Sequence, residues 1–132
     1  MTTTKFESAK LILELYELRR EDKMRDARTW WYMFKPKTVE DVHKVFTSPD
    51  SSKFRMVMGY WDMAAALVNH GAIDKDMFFD TNGEFLHMFA KLEPLLPELR
   101  KNEPSLLLQL EKLIRTMPNI DERLAKTRAR FV

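Results

Sequence analysis

Two short stretches of this sequence carry residue types at a spacing that could hold metal. In TVEDVH, Glu40 and His43 stand three residues apart, and in TNGEFLH the same spacing joins Glu84 to His87. On a helix, residues three apart share a face, and a Glu-x-x-His pair supplies half of a carboxylate-bridged di-metal site in a helical bundle. The remaining ligands would be single carboxylates from other helices. Asp62 and either Glu14 or Glu17 stand in the right chain order to provide them. Converging, Glu40, His43, Asp62, Glu84 and His87 would bind a pair of transition-metal ions.

Helix-start chemistry competes for the same carboxylates. Thr38 with Asp41, and Thr81 with Glu84, match the capping box. There a threonine hydroxyl and an acidic side chain three residues on satisfy backbone N–H groups that have no partner in the helix. Acidic residues in a first helical turn also complement the macrodipole. These two effects account for Glu84 and for the Glu40–Asp41 pair without a metal, so the expected cofactor is none.

Asp62 lies in GYWDMAAAL, a segment apolar enough to be largely buried, and an ionised carboxylate there requires a partner. Arg28, in DARTWWYMF, is the expected one, forming a core ion pair; Arg55 and Arg100 are alternatives. The run Trp30, Trp31, Tyr32, Met33, Phe34 covers more than one helical turn, so one core cannot take all of it. Trp30, Trp31, Tyr32 and Phe34 are the candidate interaction residues, since aromatic side chains anchor protein interfaces. Arg123, Lys126, Arg128 and Arg130 form a basic C-terminal run. Cations belong at a helix C-terminus through the macrodipole alone, and no aromatic residues interleave for base stacking, so a nucleic-acid partner is not expected. Glycine-rich phosphate loops, a nucleophile elbow and the His-Glu-x-x-His zinc motif are all absent, which leaves an enzyme unsupported.

The elements that must position these groups are helices. The 132 residues hold 45% hydrophobic and 32% charged side chains, only 3 glycines and no cysteine. That composition fits one folded domain over residues 1–132 in a reducing, cytoplasmic setting, and the net charge of +2 gives no overall footprint for nucleic acid. The most apolar stretch, residues 54–68, contains Arg55 and Asp62 and is too short to span a bilayer. The spacing predicts a long N-terminal helix over 5–34, with a projection or bend near residue 20, and Leu13, Tyr16, Ala27, Trp31 and Phe34 on its apolar stripe. A short helix from Thr38 and a buried central helix over 52–70 follow. Gly71 is placed as a left-handed C-cap, and Asp74 as the cap of a brief DKDMFF helix. Further helices are expected over 81–92, from Pro104 to 116, and after Asn119. The expected architecture is all-α: one compact bundle of about five to seven helices.

The runs LILELYELRREDKMRDARTWWYMF, YWDMAAALVNHGAIDKDMFFDTNGEF and LEPLLPELRKN resemble an uncharacterised bacterial helical family, domain of unknown function 4760, over residues 8–101. The matching positions are Ala27 and Arg28, Trp61 and Asp62, and Gly71, Ile73 and Asp74. That family more often has glutamate where Asp62 stands, and its members often carry a membrane anchor before this region. The resemblance implies an all-helical fold and no catalytic residue or cofactor. Together these readings point to a noncatalytic helical interaction module that self-associates as a homodimer or larger homo-oligomer.

Overall fold

The computed structural model describes residues 3–131. Most of them are helical, and no strand occurs among them. The helices are α1 (Lys5–Arg20), α2 (Asp22–Met33), α3 (Val39–Phe46), α4 (Ser51–Asn69), α5 (Lys75–Thr81), α6 (Glu84–Leu92), α7 (Leu96–Leu99), α8 (Leu108–Ile114) and α9 (Ile120–Ala129). The all-α expectation holds, with more segments than the five to seven expected. The difference lies in two breaks. A 3-10 turn at Glu93–Leu95, with Pro94 in it and Pro97 just beyond, separates α6 from α7. At Glu21 the single long N-terminal helix becomes two.

That second break has a local cause. Glu21 adopts an extended conformation, with φ −61° and ψ 141°, and its side chain accepts from the Met24 N–H at 3.0 Å. The RREDK run therefore ends one helix and caps the next. The N–H groups of Lys23 and Met24 hold the Glu21 carboxyl below the usual carboxylate range. With the helix broken, α1 and α2 are phased independently. Ile12 and Leu15 face the core from α1, and Met24, Ala27 and Trp31 from α2. Leu13 and Tyr16, expected on the buried stripe, point to solvent.

Other helix ends follow their sequence signals. Thr38 and Asp41 form a reciprocal capping box, as do Thr4 and Glu7. Gly71 takes φ 85°, where a side chain would be strained, and sends Ile73 back into the core. Asp74 accepts from the Met77 N–H at 3.0 Å and caps α5. The expected Thr81–Glu84 box does not form. Thr81 ends α5, donating its hydroxyl to Met77 O, and α6 starts from Gly83 without a side-chain cap. Nor does Pro104 open a helix to Thr116, because Leu107 is left-handed at φ 53° and α8 begins only at Leu108.

The buried side chains form one cluster centred on α4. Phe54, Val57, Trp61, Ala64, Ala65 and Val68 carry it along the helix, flanked by α2 on one side and α8 on the other. Met56 and Met63 lie on a remaining outward face of α4. No helix is long and apolar enough to cross a membrane among the described residues.

Candidate functional site

The C-terminal half of α2 faces α4 and α6, and its aromatic run divides by helical phase. Trp31 points inward, stacked on Phe54 with ring centroids 5.2 Å apart, and its Nε1–H donates to Phe54 O at 3.2 Å. Trp30 and Phe34, half-buried, stack on each other at 4.6 Å over the rim of this cluster. Tyr32 and its neighbour Met33 point away, 75% and 70% exposed. Of the four expected interaction residues, then, Trp31 is core, Trp30 and Phe34 are the edge of the core, and Tyr32 is surface.

One turn earlier on α2, Arg28 donates its Nε–H to both carboxylate oxygens of Glu84, at 3.0 Å each. Arg19 places a second guanidinium 3.6 Å from Glu84 and lies 5.5 Å over the Trp61 ring. Arg28 also reaches the Arg19 carbonyl at 3.3 Å. Glu84 is thereby the anchor that ties α1, α2 and α6 together. The expected Arg28–Asp62 ion pair is not formed. Asp62 instead accepts from the Leu110 N–H at 2.9 Å, in the first turn of α8, where Leu107 supplies no side-chain cap. Asn69, two turns further along α4, donates to the Gln109 carbonyl at 3.0 Å. The polar stripe of α4 therefore serves the start of α8.

The Glu-x-x-His pairs do not converge. His43 lies 3.8 Å from Glu40 on the exposed face of α3, Glu84 is held by two arginines, and Asp62 is spent on α8. Among the described residues no three His, Asp or Glu side chains gather in a way that could hold a metal ion. The basic C-terminal run is partly consumed as well: Arg128 donates to Glu93 at 2.8 Å and to the Ala90 carbonyl, fastening α9 to the end of α6.

Two features escaped the sequence reading. The first is Lys91 on α6, only 7% exposed, whose Nζ donates to the carbonyls of Trp31 and Tyr32 at the end of α2. The Phe131 ring lies 4.7 Å from the same ammonium. Burial, with the charge of Lys35 nearby, pushes the Lys91 pKa down to about 8. The second is the outer face of α1. Phe6, Leu13 and Tyr16 are 77%, 66% and 50% exposed, along a flank of α1 beside the buried Ser8, Ile12 and Leu15. A signal for it existed, since 6, 13 and 16 repeat at heptad spacing once α1 is read as ending at Arg20.

A helical domain built on a buried aromatic core, with apolar side chains turned outward from its first helix, is the class these features define. The model of the family described as "Domain of unknown function (DUF4760)" matches residues 5–117, and the chain belongs to that family. Neither a curated protein nor a solved structure matches it.

Proposed function

We propose that this protein is a noncatalytic, cytoplasmic helical interaction module that pairs with a second copy of itself through the outer face of α1. The observation that carries the reading is the heptad-spaced stripe of exposed Phe6, Leu13 and Tyr16 on a helix that meets the core through Ser8, Ile12 and Leu15. An apolar seam at this spacing is the pattern that pairs helices. Tyr32 and Met33 supply a second exposed apolar pair on α2. The Glu84 carboxylate is engaged by Arg28 and Arg19, which supports a structural role for it rather than a chemical one.

The test is the mass of the purified protein in solution at micromolar concentration, by light scattering and by native mass spectrometry. The wild type is expected as a dimer. Leu13→Glu is expected to run as a monomer with unchanged helical circular dichroism, because Leu13 contributes little to the monomer's core. A monomeric wild type would overturn self-association, and a dimer that survives Leu13→Glu would remove α1 from the interface.

A further inference from the structure

A cleft of about 430 Å³ opens between α2, α4 and α6 and is walled by Trp31, Val57, Met88 and Phe131. Lys91 lies in its lining, and beyond Phe131 the same lysine borders a smaller cavity of about 220 Å³ rimmed by Lys35, Lys37 and Arg128. The larger volume falls within the range of small-ligand pockets, and apolar walls with a few convergent polar groups are their usual character.

We propose that this cleft binds a small amphipathic carboxylate, an organic acid with an alkyl or aryl body, whose head pairs with the Lys91 ammonium while its body lies against Trp31, Val57 and Met88.

Three observations carry this. First, Lys91 is a buried cation with backbone carbonyls as its hydrogen-bond partners and no carboxylate among the described groups that bond it or shift it. Buried charges in folded proteins are ordinarily paired, and an ammonium has three donors, of which the two carbonyls take two. Secondly, the local charge is positive. Arg19 and Arg28 share the single carboxylate of Glu84, so that pairing leaves one positive charge in excess beside the cleft. Thirdly, the space next to the ammonium is apolar on several sides, which suits a hydrocarbon body and strengthens a charge-assisted hydrogen bond at its base. The titratable and charged groups sharing the two cavities with Lys91 are Arg28 and Tyr32 on α2, Glu84 and His87 on α6, Lys35 and Lys37 beyond α2, and Arg128 on α9. Their balance favours an anion.

An anion bound at Lys91 stabilises its protonated form, so binding near pH 8, where the free lysine is half-titrated, takes up protons. The experiment is isothermal titration of the full chain with octanoate, octanol and octylammonium, repeated near pH 8 in buffers of different ionisation enthalpy. Saturable octanoate binding is expected, at one per chain. A buffer-dependent heat should report proton uptake, octanol should bind at least about tenfold more weakly, and octylammonium should not bind. Lys91→Met should weaken octanoate by about tenfold or more. His87→Trp, which narrows the cleft from its exposed rim and leaves Lys91 in place, keeps the test valid should the lysine variant fail to fold; it too should lose binding. The proposal is overturned by an absence of saturable octanoate binding, by octanol binding as tightly as octanoate, or by unchanged affinity in His87→Trp.

Discussion

Lys91 and Tyr60 set the response of this fold to alkali, and they act in opposite directions. Burial pushes Lys91 down to about 8, below its ordinary value of 10.5. Between those values the unfolded chain holds a proton that the folded protein has released, so stability rises with pH across that window. Tyr60 donates its hydroxyl to the Leu15 carbonyl at 2.5 Å and is pushed up to about 12 by burial. Its ordinary value is 10.0, so its contribution is complete below pH 10 and is lost as pH climbs through 12. The expected profile of denaturant midpoints rises from pH 8 to a maximum near 10 and then falls. Each arm is worth on the order of 3 kcal/mol, since one pKa unit corresponds to about 1.4 kcal/mol. Lys91→Met should flatten the rising arm and leave the falling one, and Tyr60→Phe should do the reverse. A midpoint that declines steadily from pH 8 would contradict the assignment to Lys91. None of this was visible from the residues themselves. A lone lysine in EFLHMFAKL reads as solvated, and only the approach of α2's last carbonyls and Phe131 gives it a buried setting.

Helix ends decide what each element contributes. Asp62 is expected to matter through α8, because its carboxylate is the acceptor that the first turn of that helix lacks in its own sequence. Asp62→Ala should cost about 1–2 kcal/mol, the range for losing an N-terminal cap, and should speed amide exchange at Leu110 above all. Asp62→Asn keeps an acceptor and should recover part of the loss. Uniform exchange throughout α8 in Asp62→Ala would point to some other role. The sequence reveals that Asp62 needs a partner, because a carboxylate amid GYWDMAAAL cannot go unpaired. It does not reveal which one, because Leu110 N–H becomes available only through the left-handed Leu107, which delays α8 past the point where Pro104 would start it. Arg28 shows the same limit: its place beside the aromatic run is legible, but Glu84 wins it from 56 residues away. Capping residues acting on their own helix, Thr38, Gly71 and Asp74, were read correctly because everything they need lies within a few positions. The failed box at Thr81 marks the converse, where Thr81 is claimed by the end of α5 before α6 can use it.

At the scale of the whole molecule, the aromatic run of α2 and the stripe of α1 have exchanged the roles their composition suggests. Trp31 belongs to the core, so Trp31→Asp should unfold the protein rather than change its assembly; truncating a buried tryptophan alone costs about 3–5 kcal/mol. In the proposed self-association the contact is α1, and that pairing has a direction that charge can test. Lys10 and Glu17 are exposed, seven residues apart, and therefore flank the Phe6–Leu13–Tyr16 stripe on one side. A two-fold axis passing near Leu13 runs the two copies antiparallel and sets Lys10 close to Glu17 of the partner subunit, twice by symmetry. A parallel pair would instead set both residues across from the other flank of the partner's stripe, so that Lys10 and Glu17 would not meet. In the monomer Glu17 is bridged, among the described residues, only to exposed Arg20, at 3.0 Å, a contact weak enough to be exchanged. Each single reversal, Lys10→Glu or Glu17→Lys, places like charges opposite in the antiparallel arrangement and should weaken the dimer several-fold in sedimentation equilibrium at low salt, since rim pairs are worth roughly 0.2–1 kcal/mol each. The double variant restores opposite charges across both contacts and should return the dissociation constant to near the wild-type value. Rescue at low salt that fades as salt is raised identifies an antiparallel α1 seam, because exposed pairs are screened within about 10 Å at 0.1 M. Two weakening single reversals with no rescue in the double variant would reject that direction and leave the apolar stripe to pair by another geometry.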